Sequence, residues 1–195
     1  MFVDFSDFEL EPDTDYKPVI YLYPTNQIEV SVKLDYSGKL THTYPLYEDG
    51  WRITAYPDGT LVDDTGLEYP YLFWEGESEV DYDMSRGFCV SGVETEVFLR
   101  DKLSYLGLNE KEVEQFLDFW LPNMRTNAYN LISFQTTAYT EKAKLTITPK
   151  PDSLLRVFMT FTPLSEPKQI EEQEISPFER KGFTVIEWGG RIIRK

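Results

Sequence analysis

Tyr69-Pro70-Tyr71-Leu72-Phe73-Trp74-Glu75-Gly76 organises the rest of the chain, because large aromatic and aliphatic side chains run directly into a carboxylate and a glycine. Such a run predicts a buried core strand that ends at an ionisable group. A second stretch repeats the order, with Phe183 to Ile186 followed by Glu187, Trp188 and two glycines. Successive side chains of a strand point to opposite faces, so each glutamate ends an apolar face of its strand.

Glu75 and Glu187 are the candidate catalytic residues, and two interpretations of them stay open. A partly desolvated glutamate has a raised pKa, which is typical of a functional site. Hydrolysis of a glycosidic bond needs two facing carboxylates, about 5–5.5 Å apart for retention or about 6.5–9.5 Å apart for inversion. Alternatively, each carboxylate caps a strand end or pairs with Arg52, Arg86 or Arg156. We favour the second interpretation and assign no catalytic residue.

Charge excludes whole classes of partner. Lys and Arg total 19 against 34 Asp and Glu, which gives a formal net charge of -15. Most of such a surface repels a nucleic acid or an anionic membrane, so we expect neither as a partner. A protein partner with a basic surface suits this charge. The oligomeric state is left open.

Metal and thiol chemistry find little support. The chain has one cysteine, Cys89, and one histidine, His42, which excludes an internal disulfide and a multi-histidine metal site. Cys89 lies between Phe88 and Val90, so a buried structural cysteine is favoured over a nucleophile paired with His42. Residues 77–87 carry four acids that match a calcium loop only loosely, and we expect a solvated acidic loop. No metal and no cofactor is predicted.

The beginning of the sequence bears on localisation. It lacks the basic start and the long apolar stretch of a secretory signal, and no apolar run approaches the ~18 residues of a membrane span. We therefore expect a soluble, cytoplasmic protein. The protein would be secreted if a signal peptide had been removed.

The pattern along the chain predicts an α+β fold, in which a mainly antiparallel, sandwich-like β-sheet carries a helical hairpin on one face. Alternating and apolar runs indicate strands within residues 17–76 and 128–190. Ser91 to Glu94 and Asn109 to Glu112 match the capping pattern that starts helices, which places the hairpin at about 91–121. We predict an acidic N-terminal arm at 1–16, one domain at 17–190 and a basic tail at 191–195.

Several finer expectations follow from the same pattern. The turn at Pro149 to Ser153 predicts an antiparallel hairpin of the strands that flank it. Phe183 to Trp188 is expected to close the sheet, and a short helix is expected around Lys168 to Ile175. Leu72, Trp120 and Phe158 are predicted to be buried in the core.

Five stretches resemble a known but uncharacterised family of bacterial and fungal proteins. They are Lys17-Pro-Val-Ile-Tyr-Leu-Tyr-Pro24, Tyr71-Leu-Phe-Trp-Glu75, Phe119-Trp-Leu-Pro122, Arg156-Val-Phe-Met159 and Glu187-Trp-Gly-Gly190. The similarity spans roughly residues 17–190. No activity is established for that family, so the resemblance implies a shared fold and no catalytic residue.

The aromatic content favours a binding function. The chain has 13 Tyr, 13 Phe and 4 Trp, which exceeds what a core of this size requires. Aromatic side chains with polar tips suit the rim of a ligand groove or a protein interface. Tyr21, Tyr23, Trp74 and Trp188 are the candidate ligand-binding residues. The leading hypothesis is thus a non-catalytic module with an aromatic-rimmed groove for a glycan or a protein partner, and the alternative is a glycoside hydrolase-like enzyme that uses Glu75 and Glu187.

Overall fold

Two β-sheets and a helical hairpin form three layers in the computed structural model, which describes Glu11 and residues 13–194. Most of the predicted acidic arm lies outside these residues. The strands are β1 (Thr14–Tyr23), β2 (Ile28–Tyr36), β3 (Lys39–Tyr44), β4 (Trp51–Ala55), β5 (Leu61–Val62), β6 (Glu68–Tyr69), β7 (Leu72–Glu77), β8 (Phe88–Ser91), β9 (Tyr129–Gln135), β10 (Ala143–Thr148), β11 (Ser153–Leu164) and β12 (Thr184–Ile192). The helices are α1 (Thr95–Leu106), α2 (Glu110–Trp120) and α3 (Thr137–Lys142). The predicted α+β, sandwich-like class is confirmed.

The seven-stranded sheet is the middle layer. Its strand order is β3-β7-β1-β12-β11-β9-β8, and the five-stranded sheet has the order β10-β2-β4-β5-β6. All the pairs between these strands are antiparallel except β11 with β12. One hydrophobic core lies between the two sheets, and a second lies between the seven-stranded sheet and the helical hairpin.

Strand β7 contains Leu72 to Gly76 of the stretch that is predicted to be one core strand, whereas Tyr69 belongs to β6 of the five-stranded sheet. The side chains of β7 alternate between the two cores. Leu72 and Trp74 are fully buried and belong to the core between the sheets. Phe73 is half-buried and packs against the core under the helical hairpin. This alternation explains why the stretch is apolar on both faces, since a strand inside a three-layer fold has both faces covered.

The helical hairpin starts and stops largely where its sequence predicts. Asn109 and Glu112 form a reciprocal capping box at the start of α2, as predicted. Gly107 ends α1 with a φ of 112°, a conformation that glycine adopts without steric cost. At Ser91 the predicted helix start is a single 3₁₀ turn, Gly92–Glu94, before α1 begins at Thr95.

Two adjacent glycines in β12 allow other parts of the chain to approach closely. A Cβ atom added to Gly189 would lie 2.9 Å from Cα of Pro18, and one added to Gly190 would lie 2.7 Å from the ring of Trp120. Both distances are too short for a real side chain, so larger residues would push the neighbouring strand and the helical hairpin away. The backbone of Met159 also lies against Gly190, so four of the five stretches that carry the family resemblance meet at this glycine pair. The predicted burial of Leu72, Trp120 and Phe158 is confirmed, because each side chain is fully enclosed.

Strand pairing around β10, β11 and β12 corrects three expectations. β10 and β11 do not form a hairpin, because β10 pairs with β2 in the five-stranded sheet. β12 does not close the sheet but occupies its centre, where all nine of its residues are buried. Residues 165–183 form no helix and cross irregularly from β11 to β12. The parallel pairing of β11 and β12 requires such a crossover, since parallel neighbours cannot be joined by a tight turn.

The strand limits extend beyond the predicted limits of the domain. β1 begins at Thr14, within the segment that was predicted as an arm, and β12 ends at Ile192, within the predicted tail. The predicted limits are too narrow because Asp15 and Arg191 are charged, and charged side chains indicate exposed segments. The structure buries both, with relative exposures of 0% and 1%.

Asp15 and Arg191 belong to a buried ionic network between the sheets, which also contains Lys142. The Asp15 carboxylate accepts hydrogen bonds from Arg191 Nε at 3.0 Å and from the Tyr36 hydroxyl at 2.6 Å. Lys142 Nζ lies 2.7 Å from the same carboxylate and donates to the Tyr82 hydroxyl at 2.5 Å. The network joins β1 and β12 of the seven-stranded sheet to β2 of the other sheet through the Tyr36 hydroxyl, and to α3 through Lys142.

This network predicts a specific pH dependence of stability. Burial lowers the pKa of the Lys142 ammonium from 10.5 to about 8, and the nearby Asp15 carboxylate only partly offsets that effect. Between these values the unfolded chain binds more protons at this amine than the folded protein does, so the Lys142 contribution to stability increases as pH rises. Between about pH 7.5 and about pH 9 the free energy of unfolding should increase by about 1 kcal/mol more in the wild-type protein than in Lys142→Met.

Urea unfolding of both proteins across that range measures the difference. The comparison stays below the pH at which tyrosines of the unfolded chain ionise, because the raised pKa values of buried Tyr36 and Tyr82 make stability fall with pH there. Parallel pH profiles of the two proteins would contradict the prediction.

Candidate functional site

Glu75 and Glu187 lie on opposite faces of the seven-stranded sheet. Ile20 of β1 pairs with Glu187 on one side and with Leu72 on the other, so these three side chains share the face toward the five-stranded sheet. Glu75 is three residues from Leu72 in the same strand and points the other way. The two carboxylates therefore do not face each other across a common groove. This geometry corrects the hypothesis of a carboxylate pair that flanks one glycosidic bond.

The Glu187 carboxylate is paired within the core. Its side chain is fully buried, and one carboxylate oxygen lies 2.5 Å from Arg156 Nε. Trp74 Nε1 donates to the other carboxylate oxygen at 3.3 Å. Arg156 is one of the three arginines that were considered as partners, and this ion pair stabilises the charge of Glu187 inside the sandwich.

Three of the four aromatic residues that were predicted to rim a groove are core residues. Tyr21, Trp74 and Trp188 have relative exposures of 1%, 0% and 1%. Trp74 lies between the sheets, whereas Trp188 packs under α2 and donates from Nε1 to the Tyr21 hydroxyl at 3.2 Å. Tyr23 is half-buried, and its hydroxyl donates to Glu112 at 2.8 Å. This placement corrects the predicted rim, because side chains enclosed on both sides cannot present a surface to a ligand.

The structure instead brings Glu75 together with Lys17, and we call these two residues the Lys17–Glu75 pair. Lys17 has a φ of 56°, a left-handed conformation that is costly for a side chain other than glycine and that concentrates at functional positions. It lies where the pairing of β1 with both neighbours is irregular. Its ammonium group lies over the rings of Tyr71, Phe73 and Phe119, at 5.7, 5.0 and 5.7 Å from their centroids.

The Lys17–Glu75 pair is electrostatically perturbed. Burial lowers the pKa of the Lys17 ammonium, and the Glu75 carboxylate partly opposes this shift. Burial also raises the pKa of Glu75, against the opposing effects of His42 and Lys17. Glu75 keeps 14% of its side-chain surface exposed and lies 3.6 Å from Nδ1 of the exposed His42. A partly desolvated carboxylate thus lies beside a cation and aromatic rings, and it keeps contact with solvent.

An apolar corner adjoins this pair. Tyr44, Leu46 and Leu67 have relative exposures of 48%, 76% and 61%, and we call these three residues the corner patch. Tyr44 ends β3, and its ring meets that of Tyr69 in β6 at 5.1 Å between centroids. β3 and β6 are the edge strands of the two sheets, and this ring contact joins them. Leu46 follows Tyr44 by two residues and Leu67 precedes Tyr69 by two, so the corner patch lies at this junction of the chain. Exposed acids flank it in sequence: Glu48, Asp49, Asp64 and Glu68.

Sequence reasoning missed Lys17 and the corner patch, although one signal was present. Leu46 and Leu67 each follow a turn-forming residue, Pro45 and Gly66, where an apolar side chain has no strand or helix to pack in. The left-handed backbone of Lys17 has no such signal, because a residue before proline normally adopts an extended conformation.

Two further properties concern the described part of the chain. Within residues 13–194 and Glu11, no helix is long and apolar enough to cross a membrane. The same residues contain no group of three or more His, Cys, Asp and Glu side chains that could hold a metal ion.

The fold and its site define an α+β, sandwich-like protein with an exposed apolar corner. No family model and no solved structure matches the chain. A stretch of 66 residues is 47% identical to an uncharacterised protein in the bglA 3' region of Butyrivibrio fibrisolvens, which covers 32% of this chain and 68% of that relative. The chain belongs to the same family as that protein. Because the relative is uncharacterised, family membership transfers no activity.

Proposed function

We propose that the protein is a non-catalytic binding module that holds a protein partner at the corner patch. The observation that carries this proposal is the exposure of three large apolar side chains, Tyr44, Leu46 and Leu67. They lie in or beside the segments that the contact of Tyr44 with Tyr69 brings together. Exposed apolar patches rimmed by polar residues typically mark interaction sites. Leucine side chains offer no flat ring on which a sugar can stack, so this surface favours a polypeptide over a glycan.

Charge defines the chemistry of the partner. The four exposed acids beside the corner patch and the net charge of -15 favour a partner that surrounds an apolar anchor with lysine or arginine. Long-range attraction then speeds association and weakens as salt screens it. The leucines supply the apolar contact, and the acids orient the partner.

A glycan ligand is the second candidate, and the Lys17–Glu75 pair is the observation that favours it. Tyr71 and Phe73 are half-buried beside the pair, and burial raises the pKa of the Tyr71 hydroxyl. Ring faces next to a carboxylate and an ammonium provide stacking together with hydrogen bonds for sugar hydroxyls. This site is next to the corner patch, so a substitution of Glu75 is needed to separate the two candidates.

The double variant Leu46→Asp, Leu67→Asp is expected to weaken partner binding strongly. A labelled peptide of alternating leucine and lysine serves as the probe, and fluorescence anisotropy measures its affinity. The variant should weaken binding by at least about tenfold, because two apolar anchors are replaced by charges. Affinity for the wild-type protein should also fall as salt increases.

The matched control replaces two exposed valines of the helical layer, Val93 and Val97, by aspartate. They are 87% and 74% exposed, so this control removes a similar apolar surface and adds the same charge away from the corner patch. Its affinity for the peptide should stay within about twofold of the wild type. Equal weakening in both double variants would refute the corner patch as the docking surface. If oligosaccharides stabilise the wild-type protein but not the Glu75→Gln variant, the result would instead support the glycan candidate.

A further inference from the structure

We propose that a second site, distinct from the corner patch, binds a neutral sugar or a related polyol of one or two rings. The site is a concavity of about 340 Å³ near the end of β9, and we call it the polar pocket. Its lining includes Asp83, Arg86, Ser133, Gln135, Thr137 and Gln173. This volume falls within the range of about 300–1,000 Å³ that is typical of small-molecule sites.

The floor of the polar pocket is held rigidly by buried hydrogen bonds. Gln135 has a relative exposure of 8%, and its Nε2 lies 3.0 Å from the Asp83 carbonyl oxygen. The same nitrogen lies 3.2 Å from Ser133 Oγ and 3.1 Å from Thr160 Oγ1, and both of these residues are buried. Polar groups fixed in this way lose little conformational freedom when a ligand binds, which favours affinity.

The crossover from β11 to β12 forms another wall of the polar pocket. The side-chain amide of Gln173 pairs with the backbone of Phe134, accepting from its N–H at 2.8 Å and donating to its carbonyl oxygen at 2.6 Å. Arg86 forms an ion pair with Glu171 at 2.9 Å. The crossover is therefore tied to β9 and to the segment before β8, and the pocket has a defined shape.

The functional groups of the lining select the ligand class. The amides of Gln135 and Gln173 hold the floor and the wall of the pocket through bonds within the protein. The exposed hydroxyls of Thr136 and Thr137 can donate and accept, and the carboxylates beside them accept, which matches the hydroxyls of a sugar. Asp83 and Glu174 contribute two carboxylates, whereas the one guanidinium, that of Arg86, already pairs with Glu171. The pocket thus disfavours phosphates and carboxylates, because its net charge is negative. A neutral polyhydroxylated ligand satisfies the lining without burying an unpaired charge.

The polar pocket and the corner patch are tested independently. β9 lies near one edge of the seven-stranded sheet, and β3, which carries Tyr44, forms the other edge. A variant of one site leaves the other unchanged. Failure of sugar binding therefore says nothing against a protein partner at the corner patch.

Ligand-observed NMR with the full chain tests the proposal. The probes are glucose, galactose, mannose, xylose and cellobiose, with glucuronate as the charged comparison. At least one neutral sugar should bind and should shift the side-chain amide signals of Gln135 or Gln173. At ten times its Kd this sugar should also raise Tm by about 3 °C or more.

Substitutions of exposed lining residues test whether the sugar binds in the polar pocket. Because these side chains are exposed, their replacement should not disturb the fold. Thr137→Val combined with Glu174→Ala should weaken the sugar by at least about fivefold, because two polar contacts are lost. The control is Thr54→Val combined with Thr148→Val, in a groove on the outer face of the five-stranded sheet, which should bind the sugar normally. Three results would each overturn the proposal: no neutral sugar binds, glucuronate binds as tightly, or the Thr137 and Glu174 variant binds like the wild type.

Discussion

Replacing Asp15 by alanine is expected to lower the free energy of unfolding by about 3–5 kcal/mol, since the change leaves two buried cations without their counter-charge. Lys142 Nζ lies 2.7 Å and Arg191 Nη2 lies 2.9 Å from the Asp15 carboxylate, which is fully enclosed. Their remaining partners are the Tyr82 hydroxyl, Ser78 and the distant, solvent-exposed Asp13 carboxylate, which compensate the buried charge only weakly. Denaturant unfolding measures the loss, and the slope of the free energy of unfolding against denaturant concentration should be the same in both proteins.

Asp13 provides the matched control for Asp15. Its carboxylate lies 3.7 Å from the same Arg191, but 73% of its side-chain surface is exposed. Asp13→Ala should therefore cost less than about 1 kcal/mol, because solvent screens such a pair. Adding Lys142→Met to Asp15→Ala should recover part of the loss. A free energy of unfolding for Asp15→Ala within about 1 kcal/mol of the wild type would show that the buried network does not stabilise the fold.

Trp120→Ala is the second large effect, with an expected loss of about 3–5 kcal/mol. The ring is fully buried between α2 and the seven-stranded sheet, with Phe119 and Phe161 at 5.0 and 6.0 Å between ring centroids. It also lies against Gly190, where a side chain would clash with it. The truncation therefore opens a cavity at the contact between two layers, and thermal or denaturant unfolding measures the cost.

Tyr105→Ala is the control within the same helical hairpin. Tyr105 is 49% exposed, so its truncation should change stability by less than about 1 kcal/mol. If Trp120→Ala cost as little as Tyr105→Ala, the packing of the helical hairpin on the sheet would have to be reconsidered. The two variants together separate the buried side of the hairpin from its exposed side.

Local features of the fold were predictable because they depend on neighbouring residues. The apolar run at Leu72 to Trp74 predicted a core strand, and the capping box at Asn109 predicted the start of α2. Both signals come from backbone geometry and side-chain period over a few residues. The pairing of β10 with β2 could not be predicted, because no local signal shows which strand lies beside it.

The candidate site was harder to predict than the fold. Glu75 was found because a carboxylate ends an apolar strand, but its partner Lys17 was not. Their contact depends on a left-handed backbone in β1 and on the position of β1 beside β7, neither of which has a local signal. The error at Tyr21, Trp74 and Trp188 has another cause: a three-layer fold buries both faces of its middle sheet, so it accommodates more aromatic residues than a two-layer core.

The central position of β12 has a consequence for how the chain assembles. β12 follows all the other described strands in sequence, and it lies between β1 and β11, with Asp15 and Arg191 176 residues apart in the chain. Until β12 is inserted, β1 and β11 each present an unpaired strand edge that can recruit another molecule. Contacts of such large sequence separation form slowly. During synthesis the chain is therefore most prone to misassembly just before β12 is made. The yield of folded protein should depend on chaperones more strongly than the stability of the folded state alone would indicate.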